Sequence, residues 1–418
     1  SDLLNIYGEM RSNWYESGAV NDAFFNRVGT NVLLSGDAGT NWSSIYTTIN
    51  SANLILKHTP EISFTNEATR NEVMANAYFL RAYCYFTLVR VFGDCPLLTS
   101  GFESEKQEDM YPSRTAASEV YAQVETDIEE ALRLMPASSK LLHKASPAAI
   151  NMLRTEYYLW KAKRLGGGNA ALSTAQSSVD AVLKAGYTLL PTFADIFNLN
   201  NEANSELIWT LPYIVNENVT PGTSPNFFAY YLAPNGDRTR LREAGYTEDE
   251  VPAGSHAQYV VPTQAYCDFL AEDARDTRTD VSVRVFEDKF LTEEVQIKRM
   301  VVKFKGSFAN DTRSFDSDVP VYRLAEAYLL KAEVENALGN TDAALQNLNV
   351  VAKRAYGVDN YYTARTQDAI DNAIISEILK EFVAESKAWW AYLRFNKEFE
   401  LIETLKGREG EKNVTLWP

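Results

Sequence analysis

Two short stretches place flat aromatic rings beside hydrogen-bonding side chains: Asn13-Trp14-Tyr15-Glu16-Ser17-Gly18 and Asn226-Phe227-Phe228-Ala229-Tyr230-Tyr231. An exposed ring can stack on the apolar face of a pyranose while amides, carboxylates and guanidinium groups bond its hydroxyls. Trp14 and Tyr15 are therefore candidate stacking platforms, with Arg11, Asn13 and Glu16 as polar partners. Phe228, Tyr230 and Tyr231 form a second candidate cluster. The competing reading, in which these rings only pin loops to a scaffold, needs no ligand. Aromatic residues make up 12% of the chain, with 23 tyrosines and 7 tryptophans, more than periodic segments absorb; Trp42, Trp209, Trp389 and Trp390 lie in such segments and are assigned to packing.

Other chemistry finds little footing. His58, His143 and His256 are scattered, without an HExxH or any partner at metal-ligand spacing. Gly166-Gly167-Gly168-Asn169 lacks the Lys and Ser/Thr of a phosphate loop and reads as a turn. The acidic stretches 271–280 and 311–318 have interleaved arginines and do not fit a calcium loop, so they predict surface ion pairs. Glu377, Glu381 and Glu385 recur every four residues on one helix face. That stripe predicts buried pairing with arginine, since one stripe does not set an acid and a base on opposite sides of a substrate. No catalytic residue, metal or cofactor is assigned.

Composition narrows the partners. Forty basic against 56 acidic residues give a formal charge of -16, which opposes nucleic-acid and anionic-lipid binding. Cys84, Cys95 and Cys267 form no zinc pattern or disulfide framework. No apolar run reaches the roughly 18 residues of a membrane span. The chain opens at Ser1 without a signal-like apolar core, which predicts either a cytosolic protein or a processed start.

These residues must be positioned by helices. Ile45, Ile49, Ala52 and Leu56 share a face, as do Val120, Val124, Ile128 and Leu132. Segments 148–186 and 321–357 look like variants of one helical hairpin, each with an Ala- and aromatic-rich helix, a Gly-Asn turn and a second helix opening at Ala-Ala-Leu. Their length is near the tetratricopeptide period of roughly 34 residues, and such units stack to bury their faces. Between about 205 and 320 the texture changes to short β-like runs, at 206–211, 282–286 and 296–304, separated by Pro, Gly and Asn clusters. The expected fold is thus mostly α: a tetratricopeptide-like helical-hairpin array over 1–204 and 321–405, an irregular loop-rich lobe with short strands at 205–320, and a tail at 406–418.

Residues 79–97, Phe79-Leu80-Arg81-Ala82-Tyr83 followed by Tyr85-Phe86, Leu88-Val89-Arg90 and Phe92-Gly93-Asp94-Cys95-Pro96-Leu97, resemble the signature of the SusD/RagB family. The resemblance runs in order along nearly the whole chain. It includes Trp42 to Tyr46 with Ile49-Asn50 and Ala52-Asn53, Gly186 to Leu189 with Phe193 to Phe197, Tyr322 to Leu330 with Ala332-Glu333, and Lys353-Arg354-Ala355. Departures are Asn76 for an acidic residue, and Ser386, Ala388 and Ala391 where the family's late helix carries Gly, Arg and Asp. The chain also stops at Pro418, where the family's Pro-rich tail would begin, and starts past its lipidated cysteine, so both ends read as trimmed.

The resemblance implies a single domain spanning 1–418 and a non-catalytic, lipid-anchored protein of the outer-membrane surface. Such a protein binds oligosaccharide or polysaccharide and hands it to a TonB-dependent, SusC-like transporter contacted through the tetratricopeptide-like face. Nucleic acid is not expected, and membrane contact would be only through the anchor. Three rivals remain open at this level: peptide capture in the RagB manner, a glycoside hydrolase on a helical array, and a purely structural scaffold. The ring-bearing residues Trp14 and Tyr230 discriminate among them, because a scaffold would bury both.

Overall fold

The chain begins with a short helix, α1 (Asp2–Gly8), followed by strand β1 (Tyr15–Ser17) and helix α2 (Ala23–Gly29). The structure is a computed structural model and describes residues 2–18, 23–104, 112–213, 230–231, 242–243, 245–254, 259–288, 296–314 and 316–411. Two compact units divide it, one of residues 1–32 with 188–409 and the other of residues 33–187 with 410–418. α1 needs Gly8 for close approach: a Cβ there would lie 2.2 Å from the carbonyl oxygen of Ser386.

Among the described residues the second unit is built of helices: α3 (Ser43–His58), α4 (Glu67–Phe92), α5 (Ala117–Leu134), α6 (Pro147–Arg164) and α7 (Gly168–Leu183). Asn66 caps α4 by accepting the Ala68 N–H, and Gly93 ends it at φ 66° with ψ −122°. The positive φ favours glycine, and the chain leaves extended, toward Cys95, which bridges Thr115. From Ala75 onward α4 is buried on nearly every side, which is why its residues show no polar face. Arg81 is the bolt. Its guanidinium grips Asp127 of α5 at 2.8 and 2.6 Å and donates to Asn53 of α3 at 2.7 Å. Asn53 in turn donates to the carbonyls of Leu98 and Ser100, fixing the exit from α4. Arg90 lies 3.8 Å over the Phe86 ring and donates to the Phe86 carbonyl. Ser146 caps α6 with Pro147 behind it, and Gly166 and Gly168, both at positive φ, turn the chain into α7.

The first unit resumes with β2 (Leu207–Leu211), β3 (Tyr230–Tyr231), β4 (Ala253–Gly254), β5 (Val260–Pro262) and helix α8 (Gln264–Leu270). Hairpins β6 (Val283–Asp288) with β7 (Gln296–Val301) and β8 (Ser307–Ala309) with β9 (Thr312–Ser314) follow, then β10 (Val319–Arg323). The expected β-like runs are strands, each in a two-stranded pairing. β2 pairs antiparallel with β10, Trp209 opposite Tyr322, so the two ends of the loop-rich stretch are joined. Helices α9 (Leu324–Ala337), α10 (Thr341–Tyr356), α11 (Gln367–Glu381) and α12 (Ala388–Phe395) complete it, α6–α7 and α9–α10 being the two expected hairpins. Both second helices open a little before their Ala-Ala-Leu triplet, at Gly168 and Thr341.

This unit's core is charged. Glu377, Glu381 and Glu385 are buried and paired with arginine, as expected, but the helix ends at Glu381 and Glu385 reaches the same cluster from the turn that follows. Arg278 reaches Glu377 at 2.7 Å and Asp276 at 2.8 Å. Arg323 reaches Glu381 at 2.5 Å and Glu385 at 2.8 Å, and Lys303 reaches Glu385 at 2.6 Å. Arg354 bridges Glu206, at 2.6 Å, to Glu381. One expectation is corrected: within the 271–280 stretch Asp273 and Arg275 pair at the surface and the exposed Glu272 meets the buried Lys380, whereas Asp276 and Arg278 are 1% exposed at the side chain and belong to this core. Three-dimensional convergence, which adjacent Asp-x-Arg repeats do not encode, separates the two pairs. Among the described residues no helix is long and apolar enough to cross a membrane.

The Arg81–Asp127 pair gives a direct test. Burial pushes the Asp127 carboxyl up in spite of Arg81, while burial would lower the Arg81 guanidinium but Asp127 raises it. Arg81→Ala should cost about 3–5 kcal/mol because Asp127 stays buried and unpaired. Replacing both, Arg81→Met with Asp127→Leu, should recover most of that loss in urea denaturation followed by tryptophan fluorescence.

Candidate functional site

The segment from Glu9 to Glu16 is built around one buried carboxylate. Glu9, at the end of α1, accepts the Tyr15 hydroxyl at 2.7 Å, the Ala384 N–H at 3.1 Å and the Lys387 N–H at 3.2 Å. The last two belong to the tight turn between α11 and α12, where Ala384 and Ser386 take positive φ of 60° and 65°. Ser386 stands where the resembled motif has glycine, and its hydroxyl compensates by donating to Asn5 at 2.8 Å. Asn13 takes a left-handed φ of 66° just before Trp14 and Tyr15, and both of those rings meet Tyr266, at 5.0 and 5.4 Å.

Trp14 is half-buried. Its indole N–H donates to the Tyr392 hydroxyl at 2.8 Å, and its ring stacks on Phe269 at 5.3 Å and tilts against Tyr266 at 5.0 Å. The Trp14 carbonyl accepts the Thr263 N–H at 2.9 Å, locking the ring's backbone to the start of α8. β1 pairs with β5, Glu16 opposite Val261, and the exposed Glu16 carboxylate meets Arg299 of β7. Beside them Tyr259, 36% exposed, lies 5.5 Å from the ring of Phe25, itself 5.0 Å from Phe24. The result is a ledge of partly exposed rings with an ion pair at its edge, held on short strands and helices.

The sequence-derived candidates divide sharply here. Trp14, Asn13 and Glu16 share one region. Arg11 and Tyr15 are corrected, because both are buried side chains of the scaffold. The Arg11 guanidinium sits 4.0 Å over the Trp389 ring and donates to Asn31 at 2.9 Å, and burial, with Arg408 nearby, pushes it down to about 9. Tyr15 follows from strand alternation: Glu16 faces out, so Tyr15 faces in. Phe228 lies outside the described residues. Tyr230 and Tyr231 form β3, whose backbone pairs in parallel with Ala253 and Gly254 of β4. Phe24, Phe25, Tyr259 and Phe269 were missed. The Phe24-Phe25 doublet in Asn21-Asp22-Ala23-Phe24-Phe25-Asn26 carries the same ring-in-polar-company signal as 226–231, whereas Phe269 reads as an ordinary helix residue.

Comparisons with known proteins agree with this architecture. Residues 6–158 match a SusD-like family described as starch-binding associating with outer membrane, and residues 265–418 match the SusD family. SusD-like protein P25 of Formosa agariphila is 25% identical over 410 residues, covering 90% of this chain and 74% of that protein. Among solved structures, NanU of B. fragilis superposes with a TM-score of 0.81 at 25% identity, covering 96% of this chain and 87% of that one. A SusD superfamily protein from Bacteroides vulgatus gives 0.80 at 26% identity, with 94% and 87% covered.

Burial raises the Glu9 carboxyl to about 7, against the lowering effects of its Tyr15 and backbone hydrogen bonds and of Lys303. A carboxyl raised above its unfolded value favours the fold most when protonated, so stability is highest below the ordinary value near 4.5 and declines as pH rises toward 7. The decline attributable to Glu9 should be about 3 kcal/mol. Urea titrations between pH 4.5 and 8 should show it in the parent chain, and Glu9→Gln should flatten it.

Proposed function

Because the chain belongs to the SusD family, we propose that it is a non-catalytic cell-surface protein that binds a glycan and passes oligosaccharide to a TonB-dependent outer-membrane transporter. The observation that carries the reading is the half-buried Trp14, stacked on Phe269 and oriented by Tyr392, in a chain whose first part matches a family described as starch-binding associating with outer membrane. A ring locked in place loses little entropy when a sugar face stacks on it, which suits a neutral ligand that offers few strong contacts. Glu16 and Arg299 supply an acceptor and a donor at the ledge's edge, the pair a hydroxyl can bridge.

Glu381 is not a candidate hydrolase acid. Burial alone would raise Glu381, but Arg354, Arg323 and Arg278 hold it far below the usual carboxylate range. A carboxylate so held neither donates nor takes up a proton near neutral pH, as a hydrolase acid must. A lipid anchor at the outer membrane and a SusC-like transporter partner complete the reading.

The test is retardation in native gels cast with neutral and acidic polysaccharides, with reducing ends assayed in parallel. Trp14→Ala should weaken the retarding interaction about tenfold or more, a loss of roughly 1.4 kcal/mol. Glu16→Ala should weaken it less, and Tyr230→Ala reports on the β3 segment. Unchanged melting of Trp14→Ala would place the effect on binding and not on folding. No shift on any polymer overturns glycan binding, and released reducing ends overturn the non-catalytic reading.

A further inference from the structure

A groove remote in sequence from Trp14 has the chemistry of a second sugar site. It lies between the outer face of α10 and the connection that follows it, residues 359–365, and has a volume of about 570 Å³. That size falls within the range of about 300–1,000 Å³ typical of small-molecule sites. Asp342, Gln346, Asn349 and Lys353 line one wall at helical spacing, and Asp359, Asn360, Thr363 and Arg365 line the other.

The second wall is built, not loose. Asn349 clamps the backbone of Tyr362, accepting its N–H at 2.8 Å and donating to its carbonyl at 2.9 Å. The Tyr362 hydroxyl reaches Glu377 of the buried charge network at 2.8 Å. Tyr361 stacks face to face on Tyr356 at 3.8 Å and donates to Asp273 at 3.0 Å. The loop is therefore pre-organised, which lowers the ordering cost of binding.

The rim decides the ligand class. Two exposed ion pairs stand on it, Lys353 with Asp359 at 2.7 Å and Arg365 with Asp342 at 2.5 Å. Charges balance, so a ligand carrying one sign of charge would satisfy one member of a pair and strand the other. A polyol, whose hydroxyls each donate and accept, can bridge both members, and exposed pairs are weak enough to open. The Gln346 and Asn360 amides add further donors and acceptors, and the largely buried Leu345 supplies apolar floor.

We infer that this groove is a saccharide subsite for one to three neutral sugar units. The inference rests on the glycan-binding reading above but concerns a different surface. Its test uses the full chain with neutral trisaccharides: maltotriose, cellotriose, xylotriose and mannotriose. Calorimetry reads affinity, and hydrogen exchange by mass spectrometry reads protection of 359–365. At least one trisaccharide should protect that segment, and Gln346→Ala with Asn360→Gly should abolish the protection and weaken its binding tenfold or more. Asn360 has φ 54°, so glycine removes the amide while keeping the backbone. Protection that persists in Trp14→Ala supports an independent subsite. Binding that leaves 359–365 unprotected, or that the double variant retains in full, overturns the groove while glycan binding elsewhere stands. Absence of heat and protection with all four overturns the groove, and polymer retardation then judges the broader reading separately.

Discussion

The buried carboxylates at the end of α11 and in the turn after it are the constraint on which the larger unit turns. Glu377, Glu381 and Glu385 draw in Arg278, Lys303, Arg323 and Arg354 from four separate segments, and Arg354 brings Glu206 with it. A charge taken from water must find its counter-charge in good geometry or cost several kcal/mol or more. Each of these segments therefore has little freedom in where it runs. Hydrophobic packing would accept many arrangements of similar area; a set of directional, charge-assisted bonds accepts few.

That constraint propagates to the ring ledge through a single turn. The last of these carboxylates, Glu385, lies within the 384–387 turn that donates two backbone N–H groups to Glu9. Glu9 holds Tyr15, Tyr15 fixes β1, and β1 presents Trp14 on one side and Glu16 on the other. The turn's positive-φ residues are local strain that the surrounding hydrogen bonds sustain. A platform for a weakly interacting, flexible ligand benefits from such rigidity, because little remains to be ordered on binding. The same network anchors Tyr362 in the α10 groove, so both candidate sugar surfaces share one foundation.

Much of this was legible in residue order. The helix period, the two hairpins with their glycine turns, the β-like runs and the four-residue spacing of Glu377 and Glu381 all correspond to observed elements. Glu377 and Glu381 were readable because their spacing puts them on one helix face and an unpaired buried pair is untenable, whereas Glu385 joins them from the turn after the helix. Their partners were not, since Arg278, Arg323 and Arg354 lie in segments with different local patterns. Arg11 and Tyr15 were misplaced for a related reason. Adjacent residues in an irregular segment alternate between solvent and core according to a turn at Asn13 and a strand pairing with 260–262, neither of which is a local property.

The sequence by itself determined the class of fold, because periodicity, capping residues and turn residues are local and act through short-range sterics and hydrogen bonding, and its ordered motifs carried the resemblance to the family. Tertiary structure decided which aromatic rings reach solvent and which charges are buried. Trp14 with Phe25, Tyr259 and Phe269 comes from three stretches of chain, and the α10 groove from a helix face and the connection after it. Exposure is a property of what packs around a residue, and for Trp14 that includes Tyr392, far along the chain.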